Sequence, residues 1–165
     1  MAVGTVSAIE QDNWQLITTN TPSAASSSTF SGISGYQKLM VVFSGTFTAS
    51  GAGTNTEFRL TFNSDTTAGN YGGASVLWSG LGSYSAGSAY IPFTGYTENL
   101  GASSPILQYG IINNANSNIP KKIELGGSRT TTGTGMYIGN AITSISLAPG
   151  TGTITGSFYL YGIAA

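Results

Sequence analysis

The stretch EFRLTFNSDTTAGNY, residues 57–71, decides how the rest of the chain is read. Its first half alternates, with Phe58, Leu60 and Phe62 on one parity and Arg59 and Thr61 on the other. Successive side chains of a strand point to opposite faces, so this pattern predicts a strand with one face in a core. The second half gives up alternation for Asn63, Asp65, two threonines, Gly69 and Asn70. Asn and Asp side chains bond their own backbone and end a strand in a turn. A calcium loop needs several closely spaced carboxylates, and Asp65 stands alone. Asn63, Asp65 and Asn70 are therefore expected to form a structural turn that holds no metal.

The same strand signal recurs on both sides of this segment. WQLITT (14–19), STFSGI (28–33) and KLMVVFSGTF (38–47) precede it. The last begins as a continuous apolar run, as in a strand covered on both faces, and then relaxes into alternation. ASVLWSG (74–80) and SAYIPF (88–93) follow, and Pro92, which lacks a backbone donor, points to an edge or a strand end. ILQYGII (106–112) is apolar on both parities. KKIELGG (121–127) and GMYIGN (135–140) flank RTTTGTG, which reads as a long polar hairpin tip. AITSISL (141–147) and TITGSFYLYGI (153–163) close the chain. No stretch carries a sustained apolar stripe of period 3.6, so essentially no helix is expected. Short strands separated by Gly, Pro and Asn predict an all-β, jelly-roll-like antiparallel β-sandwich.

Composition narrows the chemistry. The 165 residues fit one domain, large enough to bury a core without a metal or disulfide staple. Residues 14–165 are read as that single domain, and 1–13 as an N-terminal arm or first strand without the basic start of a signal peptide. Cysteine is absent, which removes disulfides and thiolate metal sites. Histidine is absent too, and with it the usual general base near neutral pH. Of the six acidic residues, Glu57 and Asp65 flank one strand-loop unit, but nothing in the sequence brings two carboxylates together for acid-base work. GGSRTTTGTG (126–135) lacks the Lys-Ser/Thr and the helix of a phosphate loop. The expectation is no enzyme, no catalytic residue and no cofactor.

Five basic and six acidic side chains give no field for nucleic acid or for an anionic membrane surface, and no apolar run is long enough to span one. A surface polar through Ser, Thr and Asn suits packing against protein, because few strongly hydrated charges must be stripped of water. Aromatic residues gather between Tyr71 and Tyr96. Trp78, Tyr84, Tyr90 and Tyr96 are candidate interface or glycan contacts, with core packing the plainer role, above all for Trp78 beside Val76 and Leu77.

The order WQLITT (14–19), TFSGISGYQKLMVVFSG (29–45), FRLTFNSDTTAGNY (58–71), AITSISL (141–147) and SFYLYGI (157–163) resembles a pattern in structural proteins of tailed bacteriophages. Those modules carry a Trp near the first strand and a spaced Phe, Ile, Tyr, Leu step, here Phe30, Ile33, Tyr36 and Leu39. A Phe-Asn-x-Asp…Asn-Tyr corner and a closing Tyr-Gly-Ile strand complete the pattern. The likeness runs from Trp14 to Ile163 and is weak between Gly72 and Met136. It implies a β-sandwich or jelly-roll module in which Asn63, Asp65, Asn70 and Tyr71 shape a turn. It departs from the pattern in lacking the charged middle of some relatives and any appended fibre segment. That departure favours a capsid decoration (cement) protein, made in the host bacterial cytoplasm and carried on the outer surface of the virion. The resemblance further implies a homotrimer bound to the major capsid protein at capsomer junctions. The alternative it leaves is a tail-fibre or receptor-binding head domain that recognises a host cell-surface glycan.

Overall fold

The computed structural model describes residues 13–48, 50, 57–77, 80–83, 88–93, 104–128 and 130–165. Among them the chain forms strands only, in two antiparallel sheets. In order these are β1 (Gln15–Asn20), β2 (Ser28–Ser31), β3 (Tyr36–Thr48) and β4 (Phe58–Phe62). Next come β5 (Tyr71–Leu77), β6 (Gly80–Ser83), β7 (Ile91–Pro92) and β8 (Ser104–Asn113). The last four are β9 (Lys121–Gly127), β10 (Thr130–Tyr137), β11 (Ser144–Pro149) and β12 (Thr153–Ala164). The larger sheet has the order β1-β12-β3-β8-β9-β10-β5-β6, and the smaller β2-β11-β4-β7. The expected all-β sandwich is what the chain forms. Apart from Asn13, the arm or first strand expected at 1–13 lies outside the described residues.

The pairing is nested. β1 pairs with β12, β2 with β11, β3 with β8 and β4 with β7, each antiparallel. Rolling this ladder over brings β12 against β3 and β11 against β4, which are the two pairings that complete the sheets. Two hairpins, β5–β6 and β9–β10, join each other through β10 and β5 and widen only the larger sheet beyond β8.

Alternation places the core between the sheets. Leu39, Val41, Phe43 and Phe47 of β3 point inward with Ile154, Phe158 and Leu160 of β12, all of them buried. Phe58, Leu60 and Phe62 of β4 face them with Ile145 and Leu147 of β11. Rings meet across the gap: Phe30 and Phe158 at 4.4 Å between centroids, Phe43 and Phe58 at 5.6 Å, Phe47 edge-on to Phe58 at 5.5 Å. Each such side chain contributes about 1.5–3 kcal/mol over leaving it in water. A buried amide adds a polar tie, since Gln108 of β8 donates to the Phe93 carbonyl beyond β7 at 2.7 Å.

Three sequence expectations meet the structure differently. Pro92 does sit on an edge, because β7 is the outermost strand of the smaller sheet. RTTTGTG is not a hairpin tip, since β10 begins at Thr130 and runs through it, pairing with β9 and β5. Gly135 serves packing, for a Cβ there would stand 2.9 Å from Ile91. In β3 the apolar run is covered on one face only, with Met40 and Val42 half-exposed on the other.

A close backbone approach pairs Gly45 of β3 with Gly156 of β12. Gly156 adopts φ +148°, a conformation that favours glycine. A Cβ at Gly45 would overlap the Thr155 carbonyl and lie 2.8 Å from Gly156 Cα and 2.9 Å from the Phe43 ring. A Cβ at Gly72, by contrast, would have among the described residues only the tip of Met136 within 4.0 Å. We expect Gly45→Ala to destabilise the fold by about 2–4 kcal/mol, as overpacking against rigid backbone does. That lowers the melting temperature by roughly 5–15 °C in a domain of this size. Gly72→Ala should change it by less than about 3 °C in the same calorimetric comparison.

Candidate functional site

The corner is built where β4 ends. Asn63 and Ser64 both have positive φ, +55° and +54°, as the two central residues of a type I′ turn do. The Asp65 amide closes that turn on the Phe62 carbonyl at 2.8 Å. Asn is among the residues that tolerate this conformation, and here its amide side chain also faces partners on both ends. Nδ2 of Asn63 donates to the Ala141 carbonyl at 2.9 Å. Its Oδ1 accepts from the Thr143 amide at 2.7 Å, the Thr143 hydroxyl at 3.1 Å and the Ser144 amide at 3.2 Å. One side chain thus fixes the segment that leads into β11.

Asp65 continues the corner. Its Oδ1 accepts from the Thr67 amide at 2.8 Å, the Asx turn expected of it. Its Oδ2 accepts from Asn70 Nδ2 at 2.8 Å and from the Tyr137 hydroxyl at 3.2 Å. Tyr71 is buried, and its hydroxyl donates to the Asp65 carbonyl at 2.9 Å while accepting from the Phe62 amide at 3.1 Å. The rings of Phe62, Tyr71 and Tyr137 pack together, with Tyr71 and Tyr137 at 4.9 Å. The four predicted residues are therefore brought together, and they join β4 and β11 of one sheet to β5 and β10 of the other.

Two members of this network were not singled out in the sequence. Tyr137 ends β10 and meets Asp65. Lys121 opens β9, is fully buried, and donates to the Ser117 carbonyl at 2.6 Å and to the Gly139 carbonyl. Its ammonium lies 5.7 Å from the Tyr137 ring centroid. The signal for Lys121 was alternation: in KKIELGG it shares the parity of Ile123 and Leu125, so one lysine of the pair had to point inward.

The charges respond to these surroundings. Burial alone would raise the Asp65 pKa, but the bonds from Asn70, Thr67 and Tyr137 outweigh it and hold the carboxyl below its ordinary 3.8. Burial, then the Asp65 charge and hydrogen bond, push the Tyr137 phenol above 10.0 against an opposing bond from Asn63. Burial lowers Lys121 below 10.5. Every described partner of these groups belongs to the fold, and the arrangement acts as a mechanical joint.

A second cluster stands at the other end of β4. Glu57 is buried, its Oε1 accepting from Arg59 Nε at 3.2 Å and from the Tyr90 hydroxyl, while Oε2 has no hydrogen-bond partner. The Arg59 guanidinium lies over the Tyr90 ring, 4.7 Å from its centroid. The two carboxylates stand at opposite ends of five-residue β4, roughly 17 Å apart at strand spacing, well beyond the reach of a hydrolytic pair. Trp78, Tyr84 and Tyr96 lie outside the described residues, so of the four aromatic candidates only Tyr90 is placed. Among the described residues no three His, Cys, Asp or Glu side chains come together as a metal site. No protein-family model matches the chain, and no curated protein matches it.

Asn63→Ala removes the bonds to Ala141, Thr143 and Ser144 and puts alanine at positive φ. The expected loss is about 2–4 kcal/mol, measured by urea denaturation. For Asp65 the sign follows from its lowered folded-state pKa. The carboxylate contributes stability above its unfolded value, and this is lost as pH falls through the folded value. Asp65→Asn should thus be less stable than wild type at pH 7, with the gap closing progressively below about pH 4. Parallel stability curves down to about pH 2 would contradict this role.

Proposed function

We propose that this chain is a structural protein of a tailed-bacteriophage virion, a capsid decoration protein seated on the outer capsid surface across capsomer junctions. The observation that carries the reading is the corner at the end of β4. The sequence motif that bears the phage resemblance is used wholly to hold strands together, as the resemblance implies for a structural landmark. The nested order β1-β12-β3-β8 facing β2-β11-β4-β7 supports a jelly roll, in which eight strands wind as two Greek keys. On this reading β5–β6 and β9–β10 are additions that broaden one sheet.

A decoration protein works by mass action. It binds the assembled lattice and not the dissociated subunits, so it stabilises the assembled state by RT ln(1 + [L]/Kd), about 2.7 kcal/mol per site at a hundredfold excess over Kd. A surface with few charges serves this role, because its contacts depend little on salt.

The Glu57–Arg59–Tyr90 cluster favours a second reading, a tail-fibre head domain that binds a host glycan. An arginine stacked on a tyrosine beside a carboxylate presents both a ring face and hydrogen-bonding groups. Copy number separates the two. Quantitative mass spectrometry of purified particles should find the chain at hundreds of copies per virion; some tens or fewer would exclude decoration and leave the fibre reading.

A further inference from the structure

β3 and β8, neighbours in the larger sheet, carry apolar residues on both parities, and among the described residues only one of their faces is buried. On the outer face, cross-strand register aligns Leu16, Tyr161, Met40 and Ile111 in one row. Leu107 and Tyr109 stand beside that row at 54% and 42% exposure. Farther across the same face, β10 presents Met136, exposed and paired with Lys122. Apart from Lys38 at its rim, the charges on the described part of this face are Lys122 and Glu124, which neutralise each other at 2.9 Å.

We propose that this face is where two copies of the chain meet, sheet against sheet. Three features select that occupant. The first is area: six strands from β1 to β10, five gaps of about 4.8 Å, and the ten residues of β8, about 30 Å, bound a footprint of up to about 700 Å². Standard interfaces bury about 600–1,000 Å² per partner, so the face reaches the lower part of that range. The second is charge, since a face whose central pair is internally neutral meets its own image with little repulsion and offers no field of one sign to a charged partner. The third is shape. A broad sheet face is complemented by another sheet packed about 10 Å away, and an isologous pair provides that complement from the same surface. The inference stands on the outer face alone and does not rest on the virion reading.

The test is sedimentation velocity on the full chain from about 1 to 200 µM. Wild type should form a dimer whose affinity changes little between about 0.15 and 0.5 M salt. Leu107→Glu and Ile111→Lys, each placing a charge on the outer face, should each weaken it at least about tenfold. Thr61→Glu, on the outer face of the smaller sheet, should leave it unchanged. Circular dichroism and melting temperature confirm that each variant is folded, and a variant that fails to fold is replaced by Val42→Lys or Met40→Lys on the same face. A chain that stays monomeric throughout, or an assembly of any size indifferent to both outer-face substitutions, overturns the proposal.

Discussion

β12, the last strand, lies between β1 and β3 and pairs with both, and the rest of the structure depends on that insertion. Its ladder with β3 runs from Thr153 to Ala164 and joins residues more than a hundred positions apart. A pairing so distant in sequence must offset a large loop-closure entropy before it returns any stability. The inward faces of the two strands supply that return, with Phe43, Phe47, Ile154, Phe158 and Leu160 all buried. The Gly45–Gly156 contact lets the backbones approach at the point where aromatic rings crowd the core. Once β12 is placed, β1 is held at the edge of the larger sheet, and β11 is carried to β4 in the smaller one.

The corner solves a problem that insertion creates. Two sheets held only by apolar packing can slide, whereas directional bonds fix their offset. Asn63 ties the end of β4 to the start of β11, and Asp65 with Tyr137 ties it to the end of β10. Lys121 is held on the other side of the Tyr137 ring. A lysine buried without a carboxylate is costly, and here carbonyls and a ring face take the place of a counter-ion. The linkage signs at alkaline pH oppose one another. The lowered Lys121 pKa makes stability rise with pH up to about 10.5, while the raised Tyr137 pKa makes it fall above about 10. The joint is therefore best satisfied with the phenol protonated and the carboxylate charged.

What could be read beforehand divides along physical lines. Alternation in EFRLTF and the Asn-x-Asp break after it are local signals, and both the strand and the corner were legible from them. Pro92 announced an edge because a missing donor is a property of one residue. RTTTGTG was misread because Thr and Gly have the composition of a turn. The reason for Gly135, Ile91 packed against it, comes from a strand about forty residues earlier. Tyr137 was invisible as a partner of Asp65 for the same reason, since 72 positions separate them. Parity alone would have turned Lys121 inward, but parity does not say which carbonyls receive it.

The most informative reading was the one the isolated chain satisfies only in part. KLMVVF and ILQYGII have the composition of strands covered on both sides, and their inner residues are buried as that composition requires. On the outer face Leu107 and Tyr109 are exposed, and Met40, Val42 and Ile111 are only partly covered by the described residues. Single exposed apolar side chains are ordinary on protein surfaces, but these are adjacent in register on neighbouring strands, which makes them one surface. The corner at the end of β4 does the opposite, turning its hydrogen-bonding groups toward the protein's own backbone and side chains. Its polar groups are thus directed inward to hold the fold, while the apolar residues of the outer sheet face stay turned away from the core.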